Sequence, residues 1–123
     1  MMKWGDVQRN VQEELDRVIG DETPSLTHRA RTPYTEATLL EIQRYSCIVP
    51  WGPRATLEDV KVGPYTIPRD THVLYLIRAI THNPELFPEP EKFRPERFLS
   101  EDGTKFVRDE RVATFGMGKA SLL

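Results

Sequence analysis

The chain has 123 residues, and 17 Lys+Arg against 19 Asp+Glu leave a net charge of −2, so neither nucleic acid nor an anionic membrane meets a strong field here. With 38% hydrophobic and 29% charged residues it has the composition of one folded domain and not of a disordered tail. A single cysteine, Cys47, excludes an internal disulfide and any multi-cysteine metal site, and no run nears the roughly 18 apolar residues of a membrane helix.

The first element is an amphipathic helix. Val7, Val11, Leu15, Val18 and Ile19 follow one another at steps of 4, 4, 3 and 1, which draws one apolar stripe on a charged cylinder. Asp6 is placed to cap its start, and Gly20 stands where a left-handed residue ends it. Such a stripe is too small to hold a helix in water alone, so it must dock. Residues 21–33 read as a polar connection. A second helix is predicted from about Thr35 to Ser46, with Pro50 ending anything helical.

Eight of the ten prolines fall between Pro50 and Pro95, and there the period changes. Val60–Val62 and Tyr65–Ile67, split by Gly63-Pro64, predict a hairpin, and His72–Ile77 a further strand. A helical turn near Arg78–Thr81 is stopped by Asn83-Pro84. From 84 to 98 four prolines alternate with Phe and Glu, so this stretch should be irregular and pinned against a larger body. The reading is therefore a mixed α+β chain forming one unit: helical over 6–46, short strands over 54–77, irregular over 84–98.

Glu41 and Arg44 sit at i, i+3 and share a face with Ala37, Leu40 and Cys47, while Leu39 and Ile42 lie on the other side. The helix thus reads as buried on more than one side, with an ion pair inside apolar surface. The plainer alternative is a surface pair contributing about 0.2–0.5 kcal/mol.

Three segments in order decide between them: Glu41-Ile42-Gln43-Arg44, then Phe93-Arg94-Pro95-Glu96-Arg97-Phe98, then Phe115-Gly116-Met117-Gly118-Lys119. Together they resemble the landmarks of the cytochrome P-450 family, the haem-thiolate monooxygenases: the Glu-x-x-Arg helix, the Pro-Glu-Arg-Phe segment and the opening of the haem loop, Phe-x-x-Gly-x-Arg-x-Cys-x-Gly. The resemblance runs from about Asp6 to Lys119. The Val-Gln-Glu-Glu-Leu-Asp run, Tyr65-Thr66-Ile67-Pro68 and Asn83-Pro84-Glu85 are similar to the animal microsomal branch, with an arthropod-like cast.

The resemblance implies an incomplete C-terminal portion of a mostly helical fold, its haem loop starting at 115–119. It implies a structural triad of Glu41, Arg44 and Arg97, one carboxylate accepting from two guanidinium forks. It implies haem as cofactor, with Arg54 set against a propionate unless it is an ordinary surface arginine, and Phe115, Gly116 and Gly118 in the haem loop. Val49 and Trp51 match a substrate-contacting stretch, the alternative being core side chains after a helix. The implied activity is hydroxylation of a lipophilic small molecule, a sterol, hormone or xenobiotic, with O2, NADPH and a reductase partner at the endoplasmic reticulum membrane. No nucleic-acid partner, oligomer or catalytic residue is implied within this stretch. The family's oxygen-activating helix and membrane anchor would lie before residue 1, which leaves the location of this chain itself open between cytoplasm and elsewhere.

The tail departs from the pattern. Aligned on that loop, Ala120 stands at the family's propionate-binding Arg, Leu122 at the thiolate Cys, and Thr114 where members usually carry Pro. Leu has no donor atom for iron. The expectation is an inactive chain, the alternative to a working enzyme being a truncated, spliced or misread product without stable haem binding. Cys47 reads as a small buried hydrophobe. His28, Cys47, His72 and His82 have no metal-ligand spacing, and Gly116–Lys119 lacks the first Gly and the Ser/Thr of a phosphate loop.

Overall fold

A computed structural model describes residues 3–112. Its elements in order are α1 (Gly5–Val18), a 3₁₀ helix (Leu26–Arg31), α2 (Pro33–Ser46), β1 (Gly52–Ala55), β2 (Val60–Val62), β3 (Tyr65–Ile67), β4 (His72–Tyr75), α3 (Ile77–Thr81) and a 3₁₀ turn (Pro95–Phe98). Helices and short antiparallel strands share one chain, as the mixed α+β reading requires.

The stripe of α1 is half-buried against α2. Gly20 takes φ +56 after the helix, where an L side chain would be strained. Asp6 is not the N-cap: Trp4 holds that position without a side-chain bond, and Asp6 pairs with Arg9 inside the first turn. The connection 21–33 is not wholly irregular. Ser25 accepts from the Thr27 N–H and the His28 imidazole accepts from the Ser25 N–H, a reciprocal box that starts the 3₁₀ helix.

Helix α2 begins two residues earlier than the pattern suggests, because Pro33 serves as N1, where its missing N–H costs nothing. Glu14 of α1 supplies the cap. Its carboxylate accepts from the Tyr34 N–H (3.0 Å), the Thr35 N–H (2.7 Å) and the Thr35 hydroxyl (2.6 Å). At the other end Cys47 is buried and adopts the left-handed region, φ +39. The expectation that α2 is buried on several sides fails. Leu39 is 50% exposed and Ile42 37%, while Ala37, Thr38, Glu41 and Arg44 form one buried face.

That face meets the core of Ala37, Phe87, Phe98 and Val112, flanked by Leu40, Leu86, Leu99 and Phe106. Strands β2 and β3 pair antiparallel through the Gly63-Pro64 turn, with Gly63 at φ +58. Strands β1 and β4 form a second antiparallel pair around this hairpin, in register Gly52↔Tyr75 to Ala55↔His72. The strand run therefore starts at 52 and ends at 75. The shift at its start has a tertiary cause: the Tyr75 side chain lies over Gly52, its register partner. The Ser100–Lys105 loop closes on Asp102, whose carboxyl accepts from Ser100 and Thr104 and is thereby held down at about 2.

Candidate functional site

Glu41 and Arg44 are wholly buried and joined by a two-pronged ion pair, Arg44 Nε to Glu41 Oε2 at 2.7 Å and Nη2 to Oε1 at 2.9 Å. Parallel prongs of this kind are the strong form of the interaction. The rest of the Arg44 fork donates to the Thr81 carbonyl (2.9 Å) and the Pro90 carbonyl (2.9 Å). Glu41 Oε1 also accepts from the Arg94 N–H (2.8 Å) and from Arg97 Nε (3.3 Å). The Arg97 side chain, 6% exposed, then reaches the carbonyls of Pro88 (3.0 Å) and Lys92 (3.2 Å). Glu41, Arg44 and Arg97 thus come together across 56 positions of chain. Burial pushes the Arg97 guanidinium below its ordinary value, opposed by Glu41 and reinforced by Arg44 and Arg94.

The chemical consequence is mechanical. Carbonyls of Pro88, Pro90 and Lys92 belong to backbone without regular hydrogen bonding, so their partners must come from elsewhere in the chain. Two guanidinium groups supply them, with their charge balanced by one carboxylate. A proline-rich strip that could not hold itself is fixed to α2.

An aromatic cluster that the hydrophobic pattern does not show closes the same region. Trp4 stacks on Phe93 with centroids 4.5 Å apart, and Tyr45 meets both edge-on at 5.4 and 5.7 Å. Offset and edge-on pairs add to plain burial. Beside them His82 contacts the Thr81 hydroxyl at 3.1 Å, and burial, then the Arg78 charge, lowers its pKa from 6.5.

Arg54 lies apart from the triad, exposed on β1, with its guanidinium carbon 5.8 Å from the centre of the Tyr75 ring. Its charge has no carboxylate partner among the described residues. Val49 and Trp51 are exposed, at 45% and 55%, so the reading of them as core side chains does not hold within this chain. A groove of about 530 Å³ lies between α1, the segment before α2 and the 103–104 loop, lined by charged side chains such as Glu13, Arg17 and Arg31 together with Ala30, Pro33 and Tyr34.

The family model described as "Cytochrome P450" matches residues 1–121. The chain belongs to the cytochrome P450 family. It is similar to cytochrome P450 2S1 of Homo sapiens, 43% identical over 121 residues, which are 97% of this chain and 24% of the relative. Farnesoate epoxidase of Bombyx mori is 43% identical over 116 residues, 93% of this chain and 23% of the relative. A 3-ketosteroid oxygenase of Caenorhabditis elegans is 36% identical over 126 residues, with shares of 95% and 22%. The chain therefore spans about a quarter of the length of these curated relatives.

The family implies haem, and the residues present fit it at one end. An exposed guanidinium with no carboxylate partner among the described residues, such as that of Arg54, has the chemistry to meet a porphyrin carboxylate. Phe115, Gly116, Gly118 and Leu122 lie outside the described residues. Among the described residues no three His, Cys, Asp or Glu side chains are grouped to hold a metal ion, and no helix is long and apolar enough to cross a membrane.

Proposed function

We propose that the chain is the haem-facing part of a monooxygenase that hydroxylates a lipophilic small molecule with O2 and NADPH-derived electrons delivered by a reductase. The observation that carries this reading is the family match over residues 1–121, joined to the buried Glu41–Arg44–Arg97 triad. When bound, haem would supply oxygen activation. Within this chain Arg54 would hold one of its carboxylates, Phe115, Gly116 and Gly118 would form the wall of the haem loop, and Val49 and Trp51 would face the substrate. Glu41, Arg44 and Arg97 are positioning groups that keep the proline-rich strip in place. Membership of the microsomal branch favours the endoplasmic reticulum membrane for the whole protein.

Leu122 supports a second statement, about this chain as it stands. A leucine at the thiolate position offers iron no ligand, so the chain does not form the thiolate-ligated haem that activates oxygen in the family. The test is the carbon monoxide difference spectrum of the purified chain with haem and dithionite. No thiolate-type band is expected; its appearance would overturn the assignment of Leu122.

A further inference from the structure

Strand β1 carries a glycine whose space is taken. A Cβ built on Gly52 would stand 2.2 Å from the Tyr75 hydroxyl oxygen and 2.4 Å from the ring carbon that bears it. Gly52 and Tyr75 are register partners, so the ring folds back across β1 and covers the glycine, which is buried as a result. An aromatic ring laid over a cross-strand glycine is a recognised device of small sheets. It also explains why the strand starts at a Gly-Pro pair that the pattern does not read as strand.

Residue 54 is two positions on, and in a strand this returns to the same face. There the Arg54 guanidinium lies 5.8 Å from the Tyr75 ring centre, within cation–π range. Arg54 is exposed and has no carboxylate partner among the described residues, so the ring is what limits where its charge points. We propose that Tyr75, seated on Gly52, is a positioning residue that pre-orients Arg54 to receive the carboxylate of a porphyrin. This rests on the reading of Arg54 as a carboxylate-binding cation. Tyr75 need not touch the ligand: it removes rotamers that Arg54 would otherwise lose on binding. The part that matters is the ring, not the hydroxyl.

The test uses the full chain at submicromolar concentration and two fluorescent probes, metal-free protoporphyrin IX and its dimethyl ester, which differ only in free carboxylates and need no iron ligand. The parent should prefer the free acid, and Arg54→Gln should abolish that preference. Tyr75→Leu should cut it about two- to fivefold, the range an exposed cation–π contact supports. Tyr75→Phe should retain it, and Gly52→Ala, which evicts the ring, should behave like Tyr75→Leu. Loss in Arg54→Gln with no change in Tyr75→Leu would overturn the positioning role and leave the Arg54 reading standing. No preference in the parent would overturn the Arg54 reading itself. Independently of any porphyrin, the Arg54 δ-protons should show an upfield ring-current shift in parent and Tyr75→Phe. Ordinary δ-proton shifts in the parent would overturn the proposal.

Discussion

A buried arginine is tolerable only when its whole fork is used. Arg44 spends its fork on Glu41, Thr81 and Pro90, with no face left to water. Arg44→Leu would leave the Glu41 charge buried with fewer donors, and we expect a loss of about 3–5 kcal/mol of stability. Arg44→Lys keeps the charge but not the planar fork, so it should rescue only part of this loss, as chemical denaturation would show. His82 gives a second residue-scale expectation. Its folded pKa is depressed by burial and by the Arg78 and Arg44 charges, Glu91 and Glu41 acting the other way. The unfolded chain therefore binds a proton more readily below pH 6.5, and stability should decline as pH falls from 6.5 towards the folded value. His82→Gln should flatten that part of the stability–pH curve. An unchanged curve in the variant would show that another group carries it.

At the scale of elements, α1 and α2 are joined by the half-buried apolar stripe and, in addition, by one carboxylate. Glu14 meets three donors at the first turn of α2 and so acts as a cap supplied by a different helix. Glu14→Ala should cost about 1–2 kcal/mol, the upper range for losing an N-cap, while Glu14→Gln should cost less. Protection of the Tyr34 and Thr35 amides against hydrogen exchange reads the effect directly. The position of Glu14 was legible in part: it lies seven residues after Val7, three after Val11 and four before Val18, on the stripe side of α1, but what it caps depends on where α2 begins. The Gly63-Pro64 hairpin, by contrast, was legible, because turn chemistry and alternating β-formers are both local. The 3₁₀ helix at Leu26–Arg31 hid behind a capping box that uses His28 where Glu or Gln is usual. Leu39 and Ile42 misled because apolar character records what a side chain could cover, not what is there to cover it. The triad residues were legible only as ordered motifs, since 56 positions separate Glu41 from Arg97.

On the whole molecule, apolar side chains remain in water on several elements: Leu39 and Ile42 of α2, Ile48, Val49 and Trp51 after it, Leu74 and Leu76 around the end of β4. An exposed apolar surface of this extent favours association. We expect the chain alone to bind a hydrophobic dye and to self-associate at micromolar concentration. Trp51→Gln with Leu74→Lys should reduce both, and sedimentation showing a dye-free monomer in the parent would refute the expectation. Against that exposed surface stands a small core, so the fold depends heavily on the buried ion network that ties the 84–98 strip to α2. The most direct measurement is a double-mutant cycle on Glu41→Gln and Arg97→Gln, by denaturant unfolding at submicromolar concentration. A favourable coupling of about 1–3 kcal/mol is expected, as for partners in one buried network. Two additive losses, with coupling near zero, would contradict the claim that this triad holds the strip in place.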